Sequence, residues 1–337
     1  MAINNLDSFT GGHSPVINLS SGINLDADVN LIAGDALDRC KTLPDESIQL
    51  VVSSPPYGIG KSYEQWATID AYIASQAPLI GELFRVLKPE GSVCWQVGNH
   101  VDDGEILPLD IVFYPVFKEA GFHLRNQIAW HFRHGLHCTY RLSGRHESIM
   151  WFTKTADIHG YTFNLDAIRI SQKYPGKRKF KGEHAGELSC NPAGKNPSDM
   201  WEIMLDEWEE GIWDIPNVKS NHPEKTPHPC QFPVELAERC VLMGSNPGDI
   251  VLDPYGGVST VAIAAIKNGR KAICIDKEQD YIDIGKDRIM KWYAGELKTR
   301  EIGTSIYQQK WEREAEQVRK NQGSTKKGYR LDKWLDA

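Results

Sequence analysis

The 337-residue chain has no apolar run approaching 18 residues, so no membrane-spanning helix is expected. Its first residues, MAINNLDSFTGGHSPVINLSSG, have neither a basic start nor an apolar stretch, which speaks against a secretory signal. The seven cysteines, Cys40, Cys94, Cys138, Cys190, Cys230, Cys240 and Cys274, are odd in number and never fall in CxxC spacing. That disfavours a disulfide framework and a zinc site; reduced thiols in a cytoplasmic protein, several of them small core residues, are the simplest reading. A strict GxGxxG is missing, which disfavours a dinucleotide oxidoreductase, and no Walker lysine is present for a triphosphate. There is no repeat at a fixed period. A basic excess is also missing, since the formal net charge is −7. Distribution matters more than the sum, however. Cations crowd into SQKYPGKRKFKGEH (171–184) and NQIAWHFRHGLHCTYRLSGRHE (126–147), and residues 298–337 hold ten Lys and Arg against six Asp and Glu.

What the chain does have is α/β alternation. Residues 29–60 read as strand, short helix, strand and loop. The run IQLVV has the continuous apolar character of a strand buried on both faces. A helix is expected over 70–88, stopped by Pro-Glu-Gly, then a strand over 92–99 and a helix over 108–121. LRNQIAWHF and HESIMWFTK read as two more strands. From about 155 to 222 the pattern dissolves into Gly, Pro, Asn, Lys and Trp. A structureless loop of that length implies a function, and an insertion built for binding is expected. Order resumes with a helix at 233–244, a strand at 249–257, a helix at 258–269, a strand at 270–278 and a helix from Gln279. The charged tail includes the helix-like QQKWEREAEQVRKNQG.

Three stretches carry chemistry. In VLDPYGGVST…AICIDKE, a strand ends at Asp253 and glycines open a turn into a helix. About twenty residues on, a second strand ends at Asp276 and Glu278. Glycines admit a close ligand and a strand-end acid accepts ribose hydroxyls, so a nucleoside site is one reading; an ordinary strand–turn–helix with solvated acids is the other. In VVSSPPYGIG, the prolines cannot join a sheet ladder and end the strand. A Ser54 hydroxyl, a proline carbonyl and the Tyr57 ring could then grip an amino group on a flat heterocycle, or the motif could simply terminate the strand. In HPCQFP, His228, Gln231 and Pro233 run directly into a helix, where proline is a common first residue.

Taken together, these residues resemble the beta-type, permuted amino-DNA methyltransferases. In that family a [D/N/S]PP[Y/F] motif comes first and the S-adenosyl-L-methionine motif late. Ser54-Pro55-Pro56-Tyr57 precedes Asp253-Pro254-Tyr255-Gly256-Gly257 by about 200 residues. The family more often has DPFxGSGT; here Tyr255 replaces Phe and Gly257-Val258 departs from the glycine spacing, while Ser259-Thr260 is retained. LIAGDALD (31–38) matches the family's opening element and HPCQFP the element before the cofactor strand. LRNQIAWHF…RHESIMWFTK matches the lining of the base pocket. The resemblance covers roughly 30–154 and 222–292.

It implies a Rossmann-like, mostly parallel α/β methyltransferase fold with a DNA-recognition insertion. The expected division is a flexible arm at 1–28, a catalytic half at 29–154, the target-recognition insertion at 155–222, a cofactor half at 223–297 and a charged tail at 298–337. The cofactor would be S-adenosyl-L-methionine, leaving as S-adenosyl-L-homocysteine. Asp253 and the Gly256-Gly257 turn would hold its methionine end, Asp276 the ribose and Asp35 the adenine, with His228, Gln231, Pro233, Pro254, Tyr255, Ser259, Thr260 and Glu278 around them. Ser54 and the Pro55 carbonyl would accept the amino hydrogens of a flipped base stacked on Tyr57, with Pro56 shaping the loop, and no covalent enzyme intermediate would form. Serine in the first position inclines the family toward cytosine-N4; adenine-N6 is the alternative. The partner would be double-stranded DNA, contacted by Arg133, His134, Arg141, Arg145, Lys173, Lys177, Arg178, Lys179 and Lys181. A partner restriction endonuclease and a monomeric or homodimeric state are in keeping with it. An RNA or small-molecule methyltransferase and a non-catalytic nucleic-acid binder are the readings from other classes.

Overall fold

The computed structural model describes residues 15–57, 68–132, 137–170, 172, 174–201, 218 and 222–299. The chain divides into two units, residues 1–300 and 301–337, and every described residue belongs to the first. The expected tail helix thus lies outside the described residues.

The main sheet is built from β1 (Ile17–Asn18), β2 (Val29–Ala33), β3 (Ile48–Ser53), β4 (Leu87–Val97), β7 (His123–His131), β8 (His146–Thr153), β9 (Met200–Trp201), β10 (Ile250–Asp253) and β11 (Lys271–Asp276). Its order is β1-β2-β11-β10-β3-β4-β8-β7-β9. Every neighbouring pair is parallel except those made by β8, which runs antiparallel to both β4 and β7. A separate hairpin joins β5 (Asn99–Asp102) to β6 (Glu105–Pro108). This is the mixed, mostly parallel sheet expected of the α/β alternation.

Helices cover both faces. On one, α1 (Ala36–Cys40), α2 (Ile69–Val86) and α3 (Leu109–Glu119) bury Cys40, Leu79, Leu83, Phe113 and Phe117 against Ile32, Val51 and Val93. On the other, α4 (Val234–Gly244), α5 (Thr260–Lys267) and α6 (Gln279–Tyr293) pack Val241, Ala262 and Ile289 toward Leu31, Leu50 and Val52. Every residue of β3 is buried. A strand covered on both sides needs no polar alternation, which is why IQLVV reads as a plain apolar run. Helix α2 turns Tyr72, Gln76, Leu79, Ile80, Leu83 and Val86 inward at three- and four-residue spacing.

Three boundaries differ from expectation. Helix α2 stops at Val86, and β4 already starts at Leu87 with a register shift against β3 between Ile48 and Leu50. Lys88-Pro89-Glu90-Gly91 is therefore the irregular start of a strand, not a turn. Residues 15–28, expected within a flexible arm, run along the sheet edge: the Val16 amide donates to Asp28 Oδ2 at 2.8 Å and Asn18 Nδ2 to Asn30 Oδ1 at 2.8 Å. Residues 155–170, expected inside the insertion, dock on the core. Trp151 holds Tyr161 and Phe163 at ring distances of 5.6 and 5.3 Å, and Asn164 Nδ2 donates to the Ser245 carbonyl at 2.8 Å. Polar linkers in sequence, these stretches owe their order to side-chain amides and carboxylates that find backbone partners.

Candidate functional site

Strands β2, β11, β10 and β3 lie side by side and parallel, so their carboxyl ends share one edge. Open α/β sheets bind ligands at such an edge. The turns leaving it are Gly34-Asp35, Ser54–Tyr57, Pro254–Ser259 and Lys277-Glu278. Residues from all four line one cavity of about 380 Å³. Motifs that stand 200 residues apart in the chain thus open into the same space.

Asp276 organises the glycine turn. Its Oδ2 accepts the Gly257 amide at 2.8 Å and its Oδ1 the Glu278 amide at 2.8 Å. Burial raises its carboxyl above the usual range, offset by those two amides. Gly256 is sterically required: a Cβ there would stand 2.8 Å from the Cys274 Cβ. Gly257 takes φ +47°, and a Cβ would meet the His228 ring at 3.3 Å. That ring packs edge-on against Tyr281 at 4.5 Å, and burial pushes its pKa down to about 4, so His228 is a neutral wall at neutral pH. Asp35 caps α1, its Oδ1 accepting from the Leu37 and Asp38 amides at 2.9 and 3.2 Å. Tyr255, Phe232, Leu79 and Thr260 are also in the lining.

Four expected cofactor residues sit differently. Asp253 is 1% exposed and does not line the cavity. Its Oδ1 accepts from Ser53 Oγ at 2.6 Å and from the Tyr255 amide at 3.1 Å, so it braces the turn from behind. Burial pushes its pKa up to about 7 against those hydrogen bonds. Gln231 reaches the cavity wall, yet its amide is spent on its own loop: Nε2 donates to the Glu224 carbonyl at 2.8 Å and Oε1 accepts from Thr226 Oγ1 at 2.8 Å. Pro233 is the residue before α4 and lies off the cavity. Ser259, at φ +62°, is buried against Gly285, also off the cavity.

At the other end of the cavity, Ser54 Oγ donates to the Tyr57 hydroxyl at 3.1 Å. Tyr72, which the sequence did not single out, donates its hydroxyl to the Pro56 carbonyl. Gln76 Oε1 accepts from the Tyr255 hydroxyl at 2.7 Å and ties α2 to the cofactor turn. Glu147, also missed individually, sits beside Tyr57 and accepts from Gln96 Nε2.

Of the expected DNA contacts, Arg133, His134 and Lys173 lie outside the described residues. Arg141 and Arg145 belong to the β7–β8 connection, where the Arg145 carbonyl accepts from the Phe132 amide at 2.8 Å. Lys177, Arg178, Lys179 and Lys181 are exposed on a small hairpin closed by Ser189 N to Lys177 O at 2.8 Å and Lys179 N to Glu187 O at 2.9 Å. Among the described residues, no group of three His, Cys, Asp or Glu side chains could hold a metal ion, and no helix is long and apolar enough to cross a membrane.

The glycine turn and the Ser54–Tyr57 loop open into one cavity, the arrangement that the resemblance leads one to expect. Residues 48–287 match the N6/N4 methyltransferase family, described as DNA methylase. The type II methyltransferase M.BglII from Bacillus subtilis is 44% identical over 252 residues, spanning 74% of this chain and 66% of that protein. The DNA adenine methyltransferase YhdJ of Escherichia coli (strain K12) is 32% identical over 264 residues, 77% and 82% of the two chains. The structure of a DNA modification methylase from Thermus thermophilus, complexed with S-adenosyl-L-methionine, superposes with a TM-score of 0.52 at 26% identity, covering 79% of this chain and 93% of that one. The chain belongs to the N6/N4 DNA methylase family and is an S-adenosyl-L-methionine-dependent DNA amino-methyltransferase.

The cavity fits that cofactor. Asp35, Asp276 and Glu278 outnumber Lys277 in its lining, which suits a cationic sulfonium amino acid. Asp276→Ala should weaken S-adenosyl-L-methionine binding by about 1–3 kcal/mol, through loss of a charged acceptor and of the Gly257 turn it holds. Calorimetry with unchanged affinity would rule the assignment out.

Proposed function

We propose that the chain methylates the N4 amino group of cytosine in a specific sequence of duplex DNA. The observation that carries this reading is the shared cavity, in which the Ser54–Tyr57 loop faces the glycine turn. A base amino nitrogen is a weak nucleophile because its lone pair is delocalised into the ring. Ser54 Oγ and the Pro55 carbonyl accept its two hydrogens and favour a pyramidal nitrogen with an available lone pair. The Pro56 carbonyl is already engaged by Tyr72, which holds the loop in place. Tyr57 stacks on the base, which must leave the helix to reach the site. Asp276 and the Gly256-Gly257 turn hold the ribose and methionine parts of the cofactor and Asp35 the adenine; bound there, the cofactor supplies an electrophilic sulfonium methyl. Asp253 acts through the turn it braces. Positioning and exclusion of water account for most of the rate.

Serine at position 54 is what inclines the family resemblance toward cytosine-N4, with adenine-N6 as the alternative. Mass spectrometry of hydrolysed product DNA should find N4-methylcytosine; N6-methyladenine would overturn the base assignment while leaving the class intact. The insertion expected over 155–222 is the proposed reader of the target sequence. A cognate restriction endonuclease, a cytoplasmic location and a monomeric or homodimeric state complete the reading, supported by the type II name of the Bacillus relative.

A further inference from the structure

The proposed chemistry asks Ser54 to accept a hydrogen from the base, yet a serine hydroxyl can equally donate. What decides its direction lies behind Tyr57. Ser54 Oγ stands 3.1 Å from the Tyr57 hydroxyl in donating geometry. The Tyr57 hydroxyl in turn donates to the Glu147 carboxyl. Glu147 Oε2 also accepts from Gln96 Nε2. Gly98 makes room for the cluster, since a Cβ there would come within 3.0 Å of the Tyr57 ring and 3.3 Å of Glu147 Oε1. The four residues come from the loop after β3, from β4 and from β8, and β4 and β8 are hydrogen-bonded neighbours.

We infer that Glu147 is a positioning residue for methyl transfer, acting through a hydrogen-bond relay in which its carboxylate accepts a hydrogen bond from the Tyr57 hydroxyl, the Tyr57 oxygen accepts one from Ser54 Oγ, and the Ser54 lone pairs are left facing the base. This rests on the proposed role of Ser54. Gln96 Nε2 donates to the carboxyl and Gln96 also hydrogen-bonds Tyr57, so the Glu147 carboxylate is the acceptor on which the relay ends. An aspartate at position 54 would need no such device, because a carboxylate has no proton to misdirect. Serine does, and the buried carboxyl supplies it.

The relay has a sign in pH. Burial pushes the Glu147 pKa up to about 7, with the hydrogen bonds from Gln96 and Tyr57 pulling it back. Above that value the carboxylate accepts and the relay points away from the base. Below it, the protonated carboxyl donates to Tyr57, Tyr57 donates to Ser54, and Ser54 turns its proton toward the base. The groups packed around Glu147 are Gln96 on β4, Tyr57 on the catalytic loop and Trp130 opposite it on β7; His131 and His146 pair with each other one position along, on the other face of the sheet. Cys230 faces Tyr57 from the HPCQFP loop.

The test is single-turnover methyl transfer by the full chain on methylation-free genomic DNA from pH 5.5 to 8.5. The wild-type rate should rise through about pH 7 and level off. Tyr57→Phe keeps the stacking ring but cuts the relay; its rate should fall about tenfold at pH 8 and lose its pH dependence, with S-adenosyl-L-methionine affinity unchanged. Glu147→Gln should flatten the profile in the same way, and serves if Tyr57→Phe folds poorly. In a Ser54→Asp background, where no hydroxyl needs orienting, the loss caused by Tyr57→Phe should shrink toward nothing. An active wild type whose Tyr57→Phe and Glu147→Gln variants keep both rate and profile would overturn the relay alone. A wild type that modifies no base would instead overturn the proposed function. A profile that shifts equally with cofactor affinity would place the titration at the cofactor turn, where Asp253 is also raised to about 7, and would overturn the relay as well.

Discussion

Alanine at Tyr57 should slow methyl transfer roughly 5- to 150-fold, the loss expected when about 1–3 kcal/mol of base–aromatic stacking disappears. Ser54→Ala should cost a comparable amount by removing an acceptor that must reach the amino nitrogen as it pyramidalises. The structure adds a reason for the two to be non-additive, since Ser54 and Tyr57 hydrogen-bond each other. Neither change touches the Asp276–Gly257 contact, so S-adenosyl-L-methionine affinity should be preserved and the defect confined to the transfer step. Binding is read by calorimetry and turnover by label transfer to DNA. Wild-type turnover in both variants would reduce SPPY to a strand terminator.

The triple variant Lys177→Ala, Arg178→Ala, Lys179→Ala should weaken binding to every DNA sequence alike and flatten the salt dependence by about one unit for each phosphate no longer neutralised. The hairpin geometry refines this. Arg178 Nη1 donates to the Gly186 carbonyl at 2.5 Å, and Lys179 Nζ lies 3.4 Å from Glu187 Oε2, so both cations are partly engaged within the hairpin. An exposed ion pair of that kind is worth little and yields readily to a phosphate. Lys177 lies over the exposed Tyr174 ring at 5.5 Å. The slope should therefore fall by roughly one to three units, read from filter binding across a salt series, with cofactor affinity untouched. An unchanged slope would move the DNA face to Arg133, Arg141 and Arg145 between β7 and β8 and to the basic tail.

The strands and helices that hold the site were legible because each has a strong local pattern: IQLVV buried on both faces, α2 with its three- and four-residue spacing, Gly256 where nothing larger fits. The motif order also carried the family. What the sequence concealed depends on distance along the chain. Glu147 looks like any solvated acid in HESIMWFTK; its partners Gln96 and Tyr57 stand 51 and 90 residues away, and only the β4–β8 pairing brings them together. Gln231 has the chemistry of a ligand contact, but its loop consumes its amide, and no spacing rule reveals that. Asp253 ends its strand as the sequence suggests, and its contacts with Ser53 and the Tyr255 amide were hidden because the motif does not say whether a carboxyl faces the ligand or the core. Residues 155–170 lacked periodicity and yet pack, since their order comes from Tyr161, Phe163 and Asn164 meeting partners already fixed elsewhere.

The bond from Ser53 to Asp253 joins the root of the catalytic loop to the root of the cofactor turn. Neither ligand has sole claim on it. When the first ligand to arrive stiffens its own turn, it also quiets the base of the other, and that loss of freedom is incurred only once. The second ligand then meets a partner with less motion left to surrender. Cooperativity between cofactor and DNA can arise in this way through entropy alone, carried by the sheet.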